Sequence, residues 1–526
     1  MPTRILLIAL DAADADLIKG WAASGHLPTF KRLEETALRG TVENPYGLFV
    51  GALWPSFSTG VSPTRHGRYC FTQLVPGTYR TRATNCEEIQ GTAFWASLSR
   101  AGRRVAIIDV PKASATSGGP DSVQILDWGS HEAEVDGGFR TRPPSLARSV
   151  LARYGPDPVG SCDLIHGQPE EYEWLRERLL ARIAVKTRMI RDVVQEGEWD
   201  LVVACFADTH CAGHQLWDLH AGADEGKPGP GGNAQRDAMR DVYGAADQAL
   251  GELVRDVGEG TVCIVLASHG IGPYRGGNKI LDDILRRIDA GGTKAAPERR
   301  AMEGLRGIWK RHVPVGVKRA LITVRQRSWH RVESMVLRRE YAGRRFFAIP
   351  NNDIYGAIRL NLAGREPRGR VRKDEVERVY AEIERELRSL TNLDTGEPAV
   401  TRVVKASDHY ERRPMDNLPD LFVEWSGDRP VVRVRTARGD VIEGFYPDYR
   451  TGDHREQGAF WITGPGIAAR ALASPVSITD FAPTIGELLG VPLPGLDGRP
   501  IPGVAGGPSR ESAREGHPGG RDRVPH

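Results

Sequence analysis

Short apolar runs, each the length of one β-strand, recur along this chain and are separated by segments with helical patterning. Runs rich in aliphatic residues predict strands over residues 4–10, 104–110, 200–206, 261–267, 420–424 and 459–463. Helices are predicted over residues 28–36, 170–195 and 236–257. Buried strands that alternate with helices are typical of a mainly parallel sheet covered by helices on both faces. The sequence therefore predicts an α/β protein in which ligands bind beyond the carboxyl ends of the strands.

The length and charge of the chain limit the classes of protein that fit it. At 526 residues the chain exceeds one ordinary core and should hold two lobes or one large elaborated domain. Its formal net charge of +3 is small for this length, so nucleic acid is not an expected partner. No segment is apolar for about 18 residues, and the N-terminal run lacks the features of a signal peptide. We therefore expect no transmembrane segment and a cytoplasmic location.

Six cysteines are scattered over the chain, at positions 70, 86, 162, 205, 211 and 263. No Cys-x-x-Cys pair occurs, so the sequence does not favour a thiolate zinc site. Cys205 and Cys263 lie within predicted strands, and we expect them to be small buried residues of the core.

Carboxylate and imidazole side chains stand just beyond three of the predicted strands, where parallel sheets bind their ligands. A further candidate, His454, lies in a predicted loop before the last run. The predicted metal ligands are Asp11, Asp208, His210, His214, His269 and His454. His210 and His214 share one face if their segment is helical, and Asp208 is interpreted either as a ligand or as a group that orients a ligating histidine. This ligand set suits one or two divalent transition-metal ions, with Zn²⁺ preferred and Mn²⁺ or Fe as alternatives.

Several longer segments form an ordered set of motifs. ALDAADADLIKGWAASGHLPTFKRL lies near the N-terminus, LWPSFSTGVSPTRHG covers residues 53–67, SHG covers 268–270 and TGDHREQGAFWITGPGI covers 451–467. NLAGREPRGRV, at 361–371, and SITDFAPTIGELLGVPLPGLDGRPI complete the set. Together they resemble the alkaline phosphatase superfamily, in the branch of type I phosphodiesterases and nucleotide pyrophosphatases. The resemblance spans about residues 4–500, and it implies an alkaline-phosphatase-like three-layer α/β sandwich with a central, mainly parallel sheet.

The resemblance also implies two metal sites, and this chain departs from the family pattern in each. At the first site Asp11 and His269 are kept, whereas Ser268 stands in place of an aspartate. The second site has three imidazoles, one of which replaces another aspartate: His210, His214 and His454. The first site loses two anionic ligands, the aspartate that Ser268 replaces and the family's nucleophile at Val50, which weakens it, while three histidines with an open position suit one Zn²⁺.

The nucleophile of the family is a threonine or serine, and its position falls on Val50 in this chain. A valine cannot attack phosphorus or sulfur, so a water activated by the metal is the expected nucleophile. Ser56, Ser58 and Thr59 are interpreted as builders of the turn that follows them. The alternative is a slipped alignment, which would make one of them the nucleophile. His66 is expected to anchor a turn by hydrogen bonding.

Two predictions concern the binding of substrate. Arg365 is a candidate substrate ligand, and structural ion pairing is the alternative. The stretch from Lys294 to Arg345 contains 15 Lys/Arg against 4 Asp/Glu. It is interpreted either as a basic cap that attracts an anionic substrate or a membrane surface, or as a solvated helical insertion. The sequence does not decide whether His131 lines the cleft.

We predict a catalytic core in two parts, residues 1–275 and 401–501, with a basic helical insertion over 276–400 and a disordered tail over 502–526. The expected function is that of a metal-dependent hydrolase of phosphodiesters or related phosphate or sulfate esters. The alternative is a pseudoenzyme that binds an anionic ligand or a partner without turnover, because Val50 and Ser268 replace catalytic groups. Peripheral contact with a membrane surface is left open.

Overall fold

The computed structural model of the chain describes residues 3–115, 122–131, 138–164, 169–224, 233–290, 340–351, 354–411, 416–427, 429–444 and 450–504. Most of the predicted basic stretch and nearly all of the predicted tail lie outside these residues, so both remain predictions. Within the described ranges, no helix combines the length and the apolar character that crossing a membrane requires.

The described residues form strands that we number in chain order. They are β1 (Arg4–Leu10), β2 (Leu38–Glu43), β3 (Thr72–Leu74), β4 (Thr81–Ala83), β5 (Val105–Ile108), β6 (Val123–Leu126), β7 (Arg140–Arg142), β8 (Leu201–Phe206), β9 (Thr261–Ala267), β10 (Gly270–Pro273), β11 (Phe346–Ala348), β12 (Tyr355–Leu360), β13 (Thr391–Asn392), β14 (Val400–Lys405), β15 (Leu421–Trp425), β16 (Arg433–Arg435), β17 (Val441–Glu443), β18 (Gly452–Arg455), β19 (Gly458–Thr463), β20 (Arg470–Ala471) and β21 (Val476–Ser477).

The α-helices are numbered in the same way. They are α1 (Ala15–Ala23), α2 (Pro28–Thr36), α3 (Phe49–Thr59), α4 (Pro63–His66), α5 (Phe94–Arg100), α6 (Leu146–Tyr154), α7 (Pro169–Glu196), α8 (Asp208–Asp224), α9 (Asn233–Val257), α10 (Asn278–Ala290), α11 (Val376–Arg388) and α12 (Phe481–Leu488). Short 3₁₀ turns cover Cys86–Glu88, Cys162–Leu164, Lys373–Glu375, Ala406–Asp408 and Ile478–Asp480.

A ten-stranded sheet forms the centre of the molecule. Its strands lie in the order β20-β2-β19-β9-β1-β8-β5-β6-β7, with β21 beside β2. All of them run in one direction except β7 and β19, which are antiparallel to their neighbours. The prediction of a central, mainly parallel sheet is therefore confirmed.

Helices cover both faces of this sheet and enclose two separate cores. In the middle strand β1, Leu6 and Ile8 face a core that includes residues of α1, α2, α7, α8 and α9. Ile5 and Leu7 face the opposite core, which includes residues of α3, α5 and α12. Successive side chains of a strand point to opposite faces, so a strand that is apolar throughout must be covered on both sides. The predicted three-layer architecture is confirmed.

A smaller antiparallel sheet, in the order β11-β12-β15-β14, lies beside α10 and α11 around a core of its own. The run predicted at 420–424 does form a strand, β15, but it belongs to this smaller sheet and not to the alternating pattern of the central one. The residues of a short apolar run do not indicate which strand it pairs with, so the sheet to which β15 belongs could not be predicted. Strands from both sides of residue 400 share this sheet, and the division of the chain into segments stays a prediction.

Candidate metal centre

The predicted ligands meet at one edge of the central sheet because their strands are neighbours. Asp11 follows β1 directly, α8 begins at Asp208 two residues after β8, and His269 follows β9 by two residues. β1 pairs in parallel with both β8 and β9, so the carboxyl ends of all three lie side by side. His454 was expected in a loop, but it lies in β18 and pairs with Ile271 of β10. This short ladder carries a residue from late in the chain to the neighbourhood of His269.

Three buried imidazoles converge on one point, and we call them the three-imidazole cluster: His210, His214 and His454. The Nε2 atoms of His210 and His454 are 2.8 Å apart, and that of His214 lies 3.0 Å from the first and 3.1 Å from the second. His210 and His214 reach this point together because they are four residues apart on α8, as predicted from their spacing.

Hydrogen bonds among these rings cannot satisfy all three Nε2 atoms. His214 Nδ1 lies 2.8 Å from the carbonyl oxygen of Gly452, so Nδ1 carries the proton and Nε2 of the neutral ring presents a lone pair. If His210 and His454 both donated to that lone pair, their own protons would face each other across 2.8 Å. A metal ion at the centre would bind all three lone pairs at once. The cluster therefore fits a cation.

Burial keeps the rings in the form that binds metal. Desolvation lowers the pKa of His210, His214 and His454 well below the ordinary value of 6.5, and the proximity of other positive groups acts in the same direction. Metal-ligating imidazoles must be neutral, so the environment favours the required protonation state. The backbone N–H of His454 donates to Oδ1 of the preceding Asp453 at 2.8 Å, a contact within β18 itself.

Asp11, Ser268 and His269 form a second group beside the first, which we call the Asp11 cluster. Asp11 Oδ1 accepts hydrogen bonds from the Trp54 indole at 2.9 Å and from the Ser268 hydroxyl at 3.2 Å. Ser268 Oγ also lies 2.9 Å from His269 Nδ1. Ser268, which stands where the family has an aspartate, therefore lies within hydrogen-bonding distance of both other members of the cluster.

His269 and Asp11 nevertheless border the three-imidazole cluster. Asp11 Oδ2 is 3.6 Å from His210 Nδ1. The rings of His269 and His454 have centroids 4.9 Å apart, and His269 Nε2 is buried with no hydrogen-bond partner among the described residues. Desolvation lowers the pKa of His269 to about 4. A neutral ring with an unpartnered nitrogen is available as a further ligand.

The structure brings Asp208 into a different set of contacts. Its Oδ1 accepts a hydrogen bond from Arg182 Nε at 2.7 Å, and both side chains are fully buried. Among the described residues, no imidazole forms a hydrogen bond or ion pair with Asp208. Its neighbour Thr209 donates to the backbone oxygen of Asp11 at 2.6 Å. The carboxylate thus anchors the start of α8 to α7, on which Arg182 lies. Its two predicted roles, metal ligand and group that orients a ligating histidine, both stay predictions.

The position expected for the nucleophile lies in the first turn of α3. Val50 is the second residue of that helix, and the ring of Phe49 before it packs against His269 and His454, with centroids 5.6 and 6.4 Å away. Lys112 Nζ donates to the Val50 carbonyl at 3.2 Å. Lys112 is not among the predicted site residues. Its position shortly after β5 was the available signal, because polar residues beyond strand ends border such sites.

The hydroxyl groups near Val50 are engaged in the body of α3. Ser58 and Thr59 donate to the Pro55 carbonyl at 3.1 and 2.6 Å. Ser56 Oγ is 2.9 Å from His66 Nε2, while His66 Nδ1 accepts from the backbone N–H of Arg68 at 3.2 Å. The neutral ring of His66 therefore carries its proton on Nε2 and cannot take one from Ser56. These contacts are those of a helix end and a turn, in line with the structural interpretation.

Arg365 lies in the smaller sheet region rather than among the imidazoles. Its guanidinium bonds to Asp420 Oδ1 at 2.8 Å and to Glu366 Oε1 at 2.9 Å, and the residue is 9% exposed. These contacts correspond to the structural alternative, and a role in substrate binding stays a prediction.

Comparison with known proteins identifies the family. The model of the family described as type I phosphodiesterase / nucleotide pyrophosphatase matches residues 5–429. Phosphonoacetate hydrolase from Sinorhizobium meliloti 1021, solved in complex with phosphonoacetate, is similar with a TM-score of 0.53 and 14% identity over 93% of this chain and 96% of that one. Wild-type alkaline phosphatase PafA is similar with a TM-score of 0.54 and 14% identity over 96% of this chain and 99% of that one. At these identities both likenesses concern the fold. A search of curated proteins gave no match. The chain belongs to the type I phosphodiesterase / nucleotide pyrophosphatase family and has the fold of the alkaline phosphatase superfamily.

Proposed function

We propose that this protein is a metal-dependent hydrolase of phosphodiesters or related phosphate or sulfate esters, with one divalent ion at the three-imidazole cluster. The observation that carries the proposal is the convergence of three Nε2 atoms within 3.1 Å, two of them on one helix and the third delivered by β18. Three nitrogen ligands with an open position favour Zn²⁺, and Mn²⁺ is the alternative. Family membership supports phosphoester hydrolysis as the reaction class.

The ion would supply one property that the chain lacks: when bound, it acts as a Lewis acid and lowers the pKa of a coordinated water to around 7. The chain itself positions the three rings. His214 is held in one tautomer by Gly452, and His454 is held by the β10–β18 ladder. Preorganised ligands of this kind bind without the cost of ordering them, which supports a site built for an ion.

The first turn of α3 and Lys112 supply groups suited to the negative charge of a substrate. The residue before α3, Leu48, provides no side-chain cap, so the first N–H groups of the helix remain available to an anion. Lys112 adds a full positive charge next to that turn. In this proposal Val50 supplies no nucleophilic atom, and its helix turn serves to bind the ester.

The experiment compares wild type with His214→Ala in zinc content and in hydrolysis of bis-(4-nitrophenyl) phosphate. His214→Ala should lose the metal at this centre and the activity, because the ring provides one of three ligands. His26→Ala, at an exposed histidine in the loop before α2, is the matched control and should behave as wild type. Equal activity in His214→Ala and wild type would contradict the proposal.

A second candidate is a binding protein without turnover, and the arrangement around Ser268 favours it. Ser268 and Trp54 occupy Asp11 Oδ1 with hydrogen bonds, and Val50 has no nucleophilic atom. On this candidate, metal-loaded wild type binds orthophosphate in calorimetry but hydrolyses no ester in a panel of nitrophenyl phosphates and sulfates. Turnover that is lost in His214→Ala excludes it.

A further inference from the structure

Next to the three-imidazole cluster lies a group of three residues that the metal-ligand prediction did not include. His131, Cys162 and Cys211 present one nitrogen and two sulfur atoms that all lie within 4.8 Å of one another. We call them the Cys2His cluster. Both cysteines are 1% exposed. They lie 31 and 80 residues from His131 in the chain, so no local sequence motif predicts the cluster.

Three separate elements build the cluster. His131 ends the described segment after β6, Cys162 begins a 3₁₀ turn, and Cys211 lies in the first turn of α8, next to His210. The ring of His131 meets the ring of His210 edge to face, with centroids 4.2 Å apart. The cluster therefore adjoins the three-imidazole cluster through His210 but uses different atoms.

The separations match those that a tetrahedral ion imposes. With Zn–N at about 2.0–2.1 Å and Zn–S at about 2.3 Å, tetrahedral angles place a nitrogen and a sulfur ligand about 3.6 Å apart. His131 Nδ1 lies 3.4 Å from Cys162 Sγ and 3.9 Å from Cys211 Sγ, on either side of that value. We propose that His131, Cys162 and Cys211 form a second zinc site, in which Nδ1 and two thiolates bind Zn²⁺ and a fourth position is left for water.

The surroundings of the sulfur atoms agree with this assignment. Arg182 Nη2 donates to Cys211 Sγ at 3.4 Å, while its Nε is bonded to Asp208 at 2.7 Å. A donor that is itself paired with a carboxylate stabilises a metal-bound thiolate without adding a net positive charge next to the ion. Two thiolates would balance the charge of Zn²⁺, and soft sulfur ligands select zinc over Mg²⁺ or Ca²⁺.

The far side of His131 is held by a second ion pair. Arg450 Nη2 lies 3.4 Å from His131 Nε2, while Arg450 Nε donates to Asp163 Oδ1 at 2.8 Å. Asp163 follows Cys162 directly, so this pair connects the 3₁₀ turn to the segment that leads into β18. A guanidinium can only donate, so Nε2 accepts from Arg450 and the proton of the metal-free ring lies on Nδ1, facing the two sulfur atoms. Binding of Zn²⁺ through Nδ1 would move that proton to Nε2 and turn Arg450 away from that atom. A zinc ion would then connect α8, the 3₁₀ turn and the segment after β6.

Cobalt substitution tests this site separately from the proposed catalytic one, because only thiolate ligands give a near-ultraviolet thiolate-to-cobalt charge-transfer band. The full chain is stripped of metal with a chelator under reducing conditions and titrated with Co²⁺. Wild type and His214→Ala should both show the band, and Cys162→Ser and Cys211→Ser should each lose it. Cys263→Ser, at a buried cysteine in β9, is the matched control and should keep it.

Zinc content and alkylation provide the second measurement, since a cysteine variant could fail to fold. Folded wild type is treated with iodoacetamide with and without added Zn²⁺, then denatured and analysed by peptide mass spectrometry. Zn²⁺ should reduce the alkylation of Cys162 and Cys211. The double variant Cys162→Ser/Cys211→Ser should bind about one equivalent less zinc than Cys263→Ser. Absence of the charge-transfer band in folded wild type, or alkylation of both cysteines that is unaffected by Zn²⁺, would overturn the proposal whether or not the protein hydrolyses esters.

Discussion

The three-imidazole cluster and the Asp11 cluster lie side by side, yet their polar atoms are used in opposite ways. In the first, three Nε2 atoms face one another within 3.1 Å and leave no satisfactory pattern of protons. In the second, Ser268 and Trp54 both donate to Asp11 Oδ1, so that oxygen is already paired. Both clusters differ from the family pattern by one aspartate. Replacement by histidine keeps a lone pair aimed at the proposed ion, whereas replacement by serine supplies a donor that hydrogen-bonds to Asp11.

The largest expected effect is a loss of metal affinity, which should differ between variants of the two clusters. His214→Ala removes a ligand of the three-imidazole cluster, whereas His269→Ala removes a neighbour from the Asp11 cluster. Changes to groups that only orient ligands already cost about 10–100-fold in metal affinity or activity. We expect His214→Ala to lose more than this and His269→Ala to lose less, as measured by zinc competition with a chromogenic chelator. Equal losses would remove the distinction between the clusters.

The next effect concerns Arg365, which was predicted to bind substrate but lies outside both clusters. Arg365→Met leaves Asp420 as a buried acid without one of its partners, and breaking such a pair costs about 3–5 kcal/mol. We expect a clear loss in the free energy of unfolding in urea and an unchanged KM for the nitrophenyl ester. Arg372→Met, whose ion pair with Asp374 is exposed, is the control and should leave stability unchanged. A raised KM with unchanged stability would favour the substrate-binding role instead.

A smaller effect tests whether the Asp11 cluster can bind a second divalent ion when Ser268 is replaced. Ser268→Asp replaces a donor by an anionic ligand beside Asp11 and His269, and hard carboxylate oxygens favour a second divalent ion. We expect the metal content to rise by about one equivalent over wild type at the same free zinc concentration. Ser268→Asn has the same size without the charge and should not raise it. If both variants bind the same amount of zinc as wild type, Ser268 is not what keeps a second ion out of this cluster.

The smallest expected effect is a pH dependence that the fold produces without any metal. Burial lowers the pKa of His66 to about 3 from its usual 6.5. Between these two pH values the unfolded chain binds a proton that the folded protein does not, so the free energy of unfolding decreases as the pH falls through this range. In His66→Gln that decrease should be less steep, which urea unfolding of chelator-treated protein at several pH values would measure. An identical slope in both proteins would show that His66 is not held neutral, and would weaken the same inference for the imidazoles of the metal centre.

The sequence predicted the features that depend on local pattern. The apolar runs that became β1, β8 and β9 identified the central sheet, and the four-residue spacing of His210 and His214 predicted their shared helix face. Features that depend on distant partners were less accessible. The run at 420–424 gave no sign that β15 pairs with β12 and β14, and His454 was assigned to a loop because its partner strand β10 is four residues long.

Side-chain placement was the least predictable part. Asp208 stands two residues before His210, but its side chain is turned toward Arg182 on α7. The spacing of residues near Asp208 does not predict this ion pair. Cys162 and Cys211 are far apart in sequence, so the absence of a Cys-x-x-Cys motif did not exclude their meeting in the fold. The rule that such motifs mark thiolate sites detects local sites only.

The ladder between β10 and β18 also determines when the metal centre can exist. His454 follows His210 by 244 residues, so two of the three nitrogen ligands are synthesised long before the third. A growing chain adds about 5–20 residues per second, and the interval between the two events is therefore on the order of 10–50 seconds. During that time α8 can present only two of the imidazoles. On the proposed function, tight metal binding is therefore a late event of biogenesis that requires the C-terminal part of the core to have joined the sheet.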